Sequence, residues 1–209
     1  MKKITYVLLL SLTLLGLATP THSDMYSGTL NKLILATTGE IQASANYLAF
    51  ADAADAEGHK EIAAIFRAVS DSELKHASDL FMIAQKLDSS FQKPTPKMTK
   101  PGVIKENLQT AIKGETLEYT VLYPGSIASA LKENMFEAAK FFDIARQAEK
   151  VHAGIFTDLL LNIDNFDRIK YARIYRCTTC GAIILTNRPQ YCLICDEQGE
   201  VMIEYEIVK

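Results

Sequence analysis

Two short segments of this chain carry a carboxylate and an imidazole at the same spacing. In DSELKHASDL, Glu73 and His76 stand three residues apart, and in AEKVHAGIF the same gap separates Glu149 and His152. Residues i and i+3 share a helix face, so each pair can clasp one cation. A single Glu-x-x-His is an ordinary surface pair, and its recurrence 76 residues later is what asks for an explanation. A third donor set reads Cys177-Thr-Thr-Cys180 and, after eleven residues, Cys192-Leu-Ile-Cys195. Two Cys-x-x-Cys knuckles joined by a short loop bring four thiolates around one tetrahedral metal. Two disulfides are the alternative. Gly181 suits the metal reading, because a positive φ after the second thiolate turns backbone N–H groups toward sulfur.

The elements that must carry these residues are mostly helical. From about Ser27 to Asn162 apolar residues recur at spacings of three and four, and Ala is abundant. A first helix is predicted from about Thr29 to Glu57, stopped by Gly58, and a second from about Lys60 to Leu87. SSFQKPTPKMTKPG is long enough to cross from one end of a bundle to the other. A third helix is predicted from near Val103, with Pro124-Gly125 kinking or ending it, and a fourth from about Asn134 to Asn162. Four helices with one long central connection fit a ferritin-like bundle. After Asn162 the chain becomes a linker and then a short β-type segment, whose end VMIEYEIVK alternates Val201, Ile203, Tyr205 and Ile207 with their neighbours. So short a segment needs its metal as a staple. The expected fold is mainly α: a bundle over 24–165, then a small four-cysteine β module over 166–209.

The two halves of the bundle repeat. Glu61, Ala63, Phe66, Glu73 and His76 recur as Glu137, Ala139, Phe142, Glu149 and His152, offset by 76, while Gly39-Glu40 recurs as Gly114-Glu115, offset by 75. One Glu from each of two helices and Glu-x-x-His from the other two make a dinuclear carboxylate site. Glu40 and Glu115 would supply the first pair. Carboxylate oxygens with one imidazole per ion suit iron or manganese, and four inward carboxylates are prohibitive without cations. Glu118 lies on the same face as Glu115.

With GEIQASANY, SELKH, GETLEYTVLYPG, AEKVH and the two knuckles in this order, the chain resembles the rubrerythrins over all but its first residues. The resemblance implies seven di-iron ligands: Glu40, Glu73, His76, Glu115, Glu118, Glu149 and His152. It implies that Glu118 and His76 exchange at one iron on reduction, and that Tyr47 and Tyr123 hydrogen-bond around the cluster. Core packing is the plainer role for each tyrosine. It also implies reduction of hydrogen peroxide to water, with electrons from a donor protein entering through a rubredoxin-like iron on Cys177, Cys180, Cys192 and Cys195. Manganese at one bundle position and zinc at the thiolates remain open. Leu193 and Asp196 depart from the family's knuckle, which has Pro after the first Cys and a small residue after the second. The resemblance leads to an expected homodimer or higher homo-oligomer.

The first 23 residues stand apart. Lys2 and Lys3 precede an apolar run from Ile4 to Ala18 and the polar TPTHSD, which is the layout of a cleavable secretory signal. The run of ~15 residues falls short of the ~20 that span a bilayer. Cleavage after Ala18 or near Ser23 would give a periplasmic or otherwise exported protein; an uncleaved anchor is the alternative. His22 belongs to this leader, and His59 reads as a helix cap. With 22 Lys+Arg against 25 Asp+Glu and no basic run, nucleic acid is not an expected partner. Ferroxidase activity, or iron binding and storage with structural zinc at the cysteines, are the competing functions.

Overall fold

The computed structural model describes residues 26–164, 173–185, 187–199 and 202–206. The leader expected over 1–23, the linker residues 165–172, and Val201 and Ile207 lie outside these. No helix among the described residues is long and apolar enough to cross a membrane.

Helix α1 (Ser27–Ala56) and helix α2 (Lys60–Leu87) form the first hairpin. Leu30, Leu33, Thr37, Glu40, Ser44, Tyr47 and Phe50 are buried at three- and four-residue steps, which gives α1 one inward stripe. Gly58 turns the hairpin at φ +87°, a conformation only glycine adopts cheaply, and His59 takes the N-cap position of α2. Residues 88–103 then run back along α1. Gln42 bonds the backbone of Lys97 on both sides, and Ile104 N–H donates to Glu57 at the far end.

The second hairpin is less regular than the sequence suggests. Helix α3 (Ile104–Leu117) widens into a π-helical turn (Glu118–Leu122) and continues as α4 (Tyr123–Lys132). Pro124 therefore does not end the helix. It follows directly on the π-helical turn, where the regular backbone ladder is already interrupted. The break comes later, at Asn134 with φ +57°, and helix α5 runs Phe136–Leu161. The π turn also explains the two repeat offsets. Glu40 and Glu115 are 75 apart, but Tyr47 and Tyr123 are 76 apart. The wide turn absorbs the extra residue, so both tyrosines still point inward.

The apolar core lies in two parts. Phe50, Phe66, Leu108 and Phe156 fill one end of the bundle, and Leu33, Leu80, Tyr123 and Phe142 the other. Each large side chain contributes about 1.5–3 kcal/mol by burial. The carboxylates and histidines occupy the layer between these ends.

Three short strands complete the chain: β1 (Ile174–Cys177), β2 (Ile183–Ile184) and β3 (Met202–Tyr205), antiparallel in the order β2-β1-β3. Ile174 and Ile183 join the first core part, so the module shares the bundle's interior instead of standing free. Residues directly opposite in an antiparallel pair share a face. On β3, Met202 pairs with Cys177 and is buried on the cysteine face, Tyr205 pairs with Ile174 and packs against the bundle core, and Ile203 is 43% exposed.

Glu133 closes the N-terminus of α1, accepting from Gly28 N–H (3.1 Å) and Thr29 N–H (2.9 Å). Burial raises its carboxyl, but the donors of Thr29 and Gly28 outweigh that and hold it below the ordinary value. A lowered folded pKa gives stability that is present above the unfolded carboxylate range and lost as pH falls through the folded value. Glu133→Ala should therefore cost about 1 kcal/mol at neutral pH. Urea denaturation should show the wild-type advantage shrinking in acid.

Candidate metal centre

Six of the seven bundle ligands expected from the sequence meet in the middle layer. Glu40, Glu73, His76 and Glu149 form one set of four, and Glu73, Glu115, Glu149 and His152 a second. Within each set the candidate ligand atoms lie within 4.8 Å of one another. Glu73 and Glu149 belong to both sets and are placed to bridge. His76 Nδ1 lies 2.9 Å from Glu149 and 3.2 Å from Glu73, while His152 Nδ1 lies 2.8 Å from Glu149 and 3.2 Å from Glu73. Glu118 stands outside both sets, on the side of α1 that carries Gly39.

The environment asks for cations. Glu40 Oε2, Glu73 Oε1, Glu115 Oε2 and Glu149 Oε1 are buried without a hydrogen bond. Burial, then the neighbouring carboxylates Glu149 and Glu73, drive Glu40, Glu115 and Glu118 well above the ordinary carboxyl range. Glu149 goes the other way: burial raises it, but His76 and His152 outweigh that and hold it low. Burial opposes the charged form of His76, yet Glu149 and Glu73 raise it to about 10. This donor set, four carboxylates and two imidazoles with unsatisfied oxygens turned toward each other, fits two divalent cations.

Two tyrosines brace it in a crossed pattern. Tyr47 of the first half donates to Glu115 of the second, and Tyr123 of the second donates to Glu40 of the first. Burial and then the carboxylate each one faces hold both hydroxyls protonated. Tyr47 stacks on Phe66, and Tyr123 lies 6.0 Å from Phe142, its counterpart in the repeat.

The four cysteines are free thiols gathered at one point, with Cys177–Cys195 at 3.6 Å and Cys180–Cys192 at 3.4 Å between sulfurs. A disulfide needs about 2.05 Å, whereas a tetrahedral metal with bonds of about 2.3 Å sets its sulfurs roughly 3.8 Å apart. The two knuckles match: Gly181 N–H donates to the carbonyl oxygen of Cys177 and Asp196 N–H to that of Cys192, each at 2.9 Å, with φ of +81° and +60°. Asp tolerates the left-handed region better than most residues, which accommodates Asp196.

The two centres touch. His76 Nε2 lies 3.0 Å from the carbonyl oxygen of Cys180, and Ser72 Oγ donates to the carbonyl of Gly181 at 2.7 Å. Further along, Arg176 donates to the Tyr205 hydroxyl, which donates to Asp71 at 2.6 Å.

The Rubrerythrin family model matches residues 31–160, the whole of the carboxylate layer. The chain belongs to the rubrerythrin family. It is 31% identical over 177 residues to nigerythrin of Nitratidesulfovibrio vulgaris, covering 85% of this chain and 86% of that one. Rubrerythrin of Porphyromonas gingivalis is 30% identical over 177 residues, covering 81% and 86%. The solved structure of partially reduced nigerythrin superposes with a TM-score of 0.81 at 30% identity, covering 85% and 86%. A bacterioferritin of Desulfovibrio desulfuricans, at 16% identity and TM-score 0.64 over 72% of this chain and 88% of that one, shares the fold. As a rubrerythrin, the chain carries a di-iron site in a ferritin-like bundle and a four-cysteine metal site in a rubredoxin-like module.

Sequence reasoning missed Ser72, Asp71 and Tyr205, whose roles exist only once the module docks. Ser72 could be placed on the His76 face by its four-residue spacing, but nothing in the sequence pointed it at Gly181. A Cβ on Gly181 would stand 2.5 Å from Ser72 Oγ and 2.7 Å from His76 Nε2. Gly181→Ala should therefore displace the module and add about 1–2 kcal/mol of left-handed strain. Hydrogen exchange at Ser72–His76 should rise while bundle iron is retained.

Glu149→Ala tests the bridging assignment. A site missing a shared ligand should bind one iron fewer, and metal analysis of the purified variant reads this directly. Unchanged iron would show that Glu149 is not a ligand.

Proposed function

We propose that this chain is a peroxidase that reduces hydrogen peroxide to water, H2O2 + 2 H⁺ + 2 e⁻ → 2 H2O. In this reading electrons arrive one at a time from a donor protein through an iron held by Cys177, Cys180, Cys192 and Cys195. The observation that carries it is the contact between the Cys180 carbonyl and His76 Nε2. It joins a thiolate ligand of one metal to an imidazole ligand of the other by a single hydrogen bond, and a storage bundle has no use for such a link. With iron bound, the di-iron centre would supply the two electrons that break the O–O bond.

The protein's own part is positional. Tyr47 and Tyr123 keep their protons and hold Glu115 and Glu40 in place. Glu118 is free of both ligand sets and lines a cleft open to solvent, so its carboxyl is suited to carry protons inward and to exchange with His76 at one metal. Export through the leader belongs to the same proposal; an intact Met1 on cytoplasmic protein, found by mass spectrometry, would contradict it.

Cys180→Ser separates the two centres. All bundle ligands lie between Glu40 and His152, so the variant should keep its di-iron site. Once chemically reduced, it should react once with hydrogen peroxide at near-normal speed, and donor-driven turnover should collapse. Equal steady-state rates would assign the module a structural role.

A further inference from the structure

We propose that the cleft between α1 and the α3–α4 helix is a size and charge filter. It admits small uncharged hydroperoxides to the carboxylate centre and turns away bulky hydroperoxides and metal cations. The substrate half of this proposal rests on the peroxidase reading; the charge half does not.

The cleft has a floor of Glu40, Glu118 and Tyr123, walls that include Leu35 and Leu122, and Lys32 among its lining residues. Its volume of about 90 Å³ is below the roughly 150 Å³ of a cavity that encloses one benzene ring. Hydrogen peroxide fits, and an aromatic hydroperoxide does not. Leu35 and Leu122 are 66% and 46% exposed, so they flank the opening instead of filling a core.

The opening argues against a route for iron. A hydrated divalent cation gives up water only where oxygen donors replace it; Glu40, Glu118, Tyr123 and Ser126 carry such oxygens in the lining, but the exposed Leu35 and Leu122 offer none. Lys32 makes no salt bridge among the described residues, and an unpaired ammonium opposes an approaching cation while leaving a neutral peroxide unaffected. The position agrees with this role. The module covers the α2 and α5 side through β1 and β2, and α1 packs beside α3 and α4 on the other. Electrons and substrate therefore reach the centre from opposite faces.

The test has two arms on the full chain. In the first, kcat/KM is measured for hydrogen peroxide and for cumene hydroperoxide in Leu35→Ala and Leu122→Ala. Widening the neck should raise the cumene-to-hydrogen-peroxide ratio about tenfold, as expected when a steric barrier to a bulky substrate is removed. Leu35→Ala trims an exposed side chain, so folding does not cloud the result. In the second arm, cobalt(II) uptake by metal-free protein is followed by its absorbance. Lys32→Glu should speed uptake about tenfold at low salt, and high salt should erase the gain. An unchanged ratio in both leucine variants overturns the size filter, and unchanged uptake overturns the charge filter. If wild type consumes no hydroperoxide, the peroxidase reading falls, and the cobalt arm still decides the charge filter.

Discussion

Mutual repulsion among buried carboxylates is the constraint on which this molecule is built. Two like charges about 4 Å apart repel by roughly 4 kcal/mol at the effective dielectric of a protein site. Glu40, Glu73, Glu115 and Glu149 make several such pairs within one layer, while a whole domain is stable by only about 5–15 kcal/mol. The layer can be charged only with cations in it; otherwise protons must take their place, which is the direction in which burial and neighbours push Glu40, Glu115 and Glu118. The apolar ends above and below hold the layer dry, and the crossed tyrosine bonds tie each half's carboxylate to the other half.

The module extends the same logic. Its strands are too short to fold on a core of their own, and they borrow the bundle's through Ile174 and Ile183. That shared packing sets the Cys180–Gly181 turn against Ser72 and His76. Glycine is required there twice over, by the left-handed backbone and by the lack of room for a Cβ.

Much of this was legible in the sequence because it is local or repeats. Glu-x-x-His fixes two ligands on one helix face, Cys-x-x-Cys fixes two thiolates on one knuckle, and Gly58 marks the end of its helix. The features that escaped are those set by tertiary context. Pro124 reads as a helix breaker, but the π turn just before it moves the irregularity upstream. The two faces of the last strand are set by what lies across the ladder, Cys177 beside buried Met202 and Ile174 beside Tyr205 against the bundle, and not by the hydrophobicity of Ile203. The docking of Tyr205 on Asp71 spans 134 residues and leaves no trace in either segment alone.

The π turn gives the pair of ions a direction. Two identical half-sites related by a twofold axis would hold interchangeable ions, with nothing to distinguish arrival from departure. One inserted residue in the second half breaks that equivalence, and Glu118, opposite Ala43 in the repeat, has no counterpart. The Glu40–His76 end then meets both the cleft and the thiolate module. The Glu115–His152 end is sealed, with both side chains wholly out of contact with solvent. A symmetric duplication has become a polar one, with one end open to the cleft and the module and the other closed, by the addition of a single amino acid.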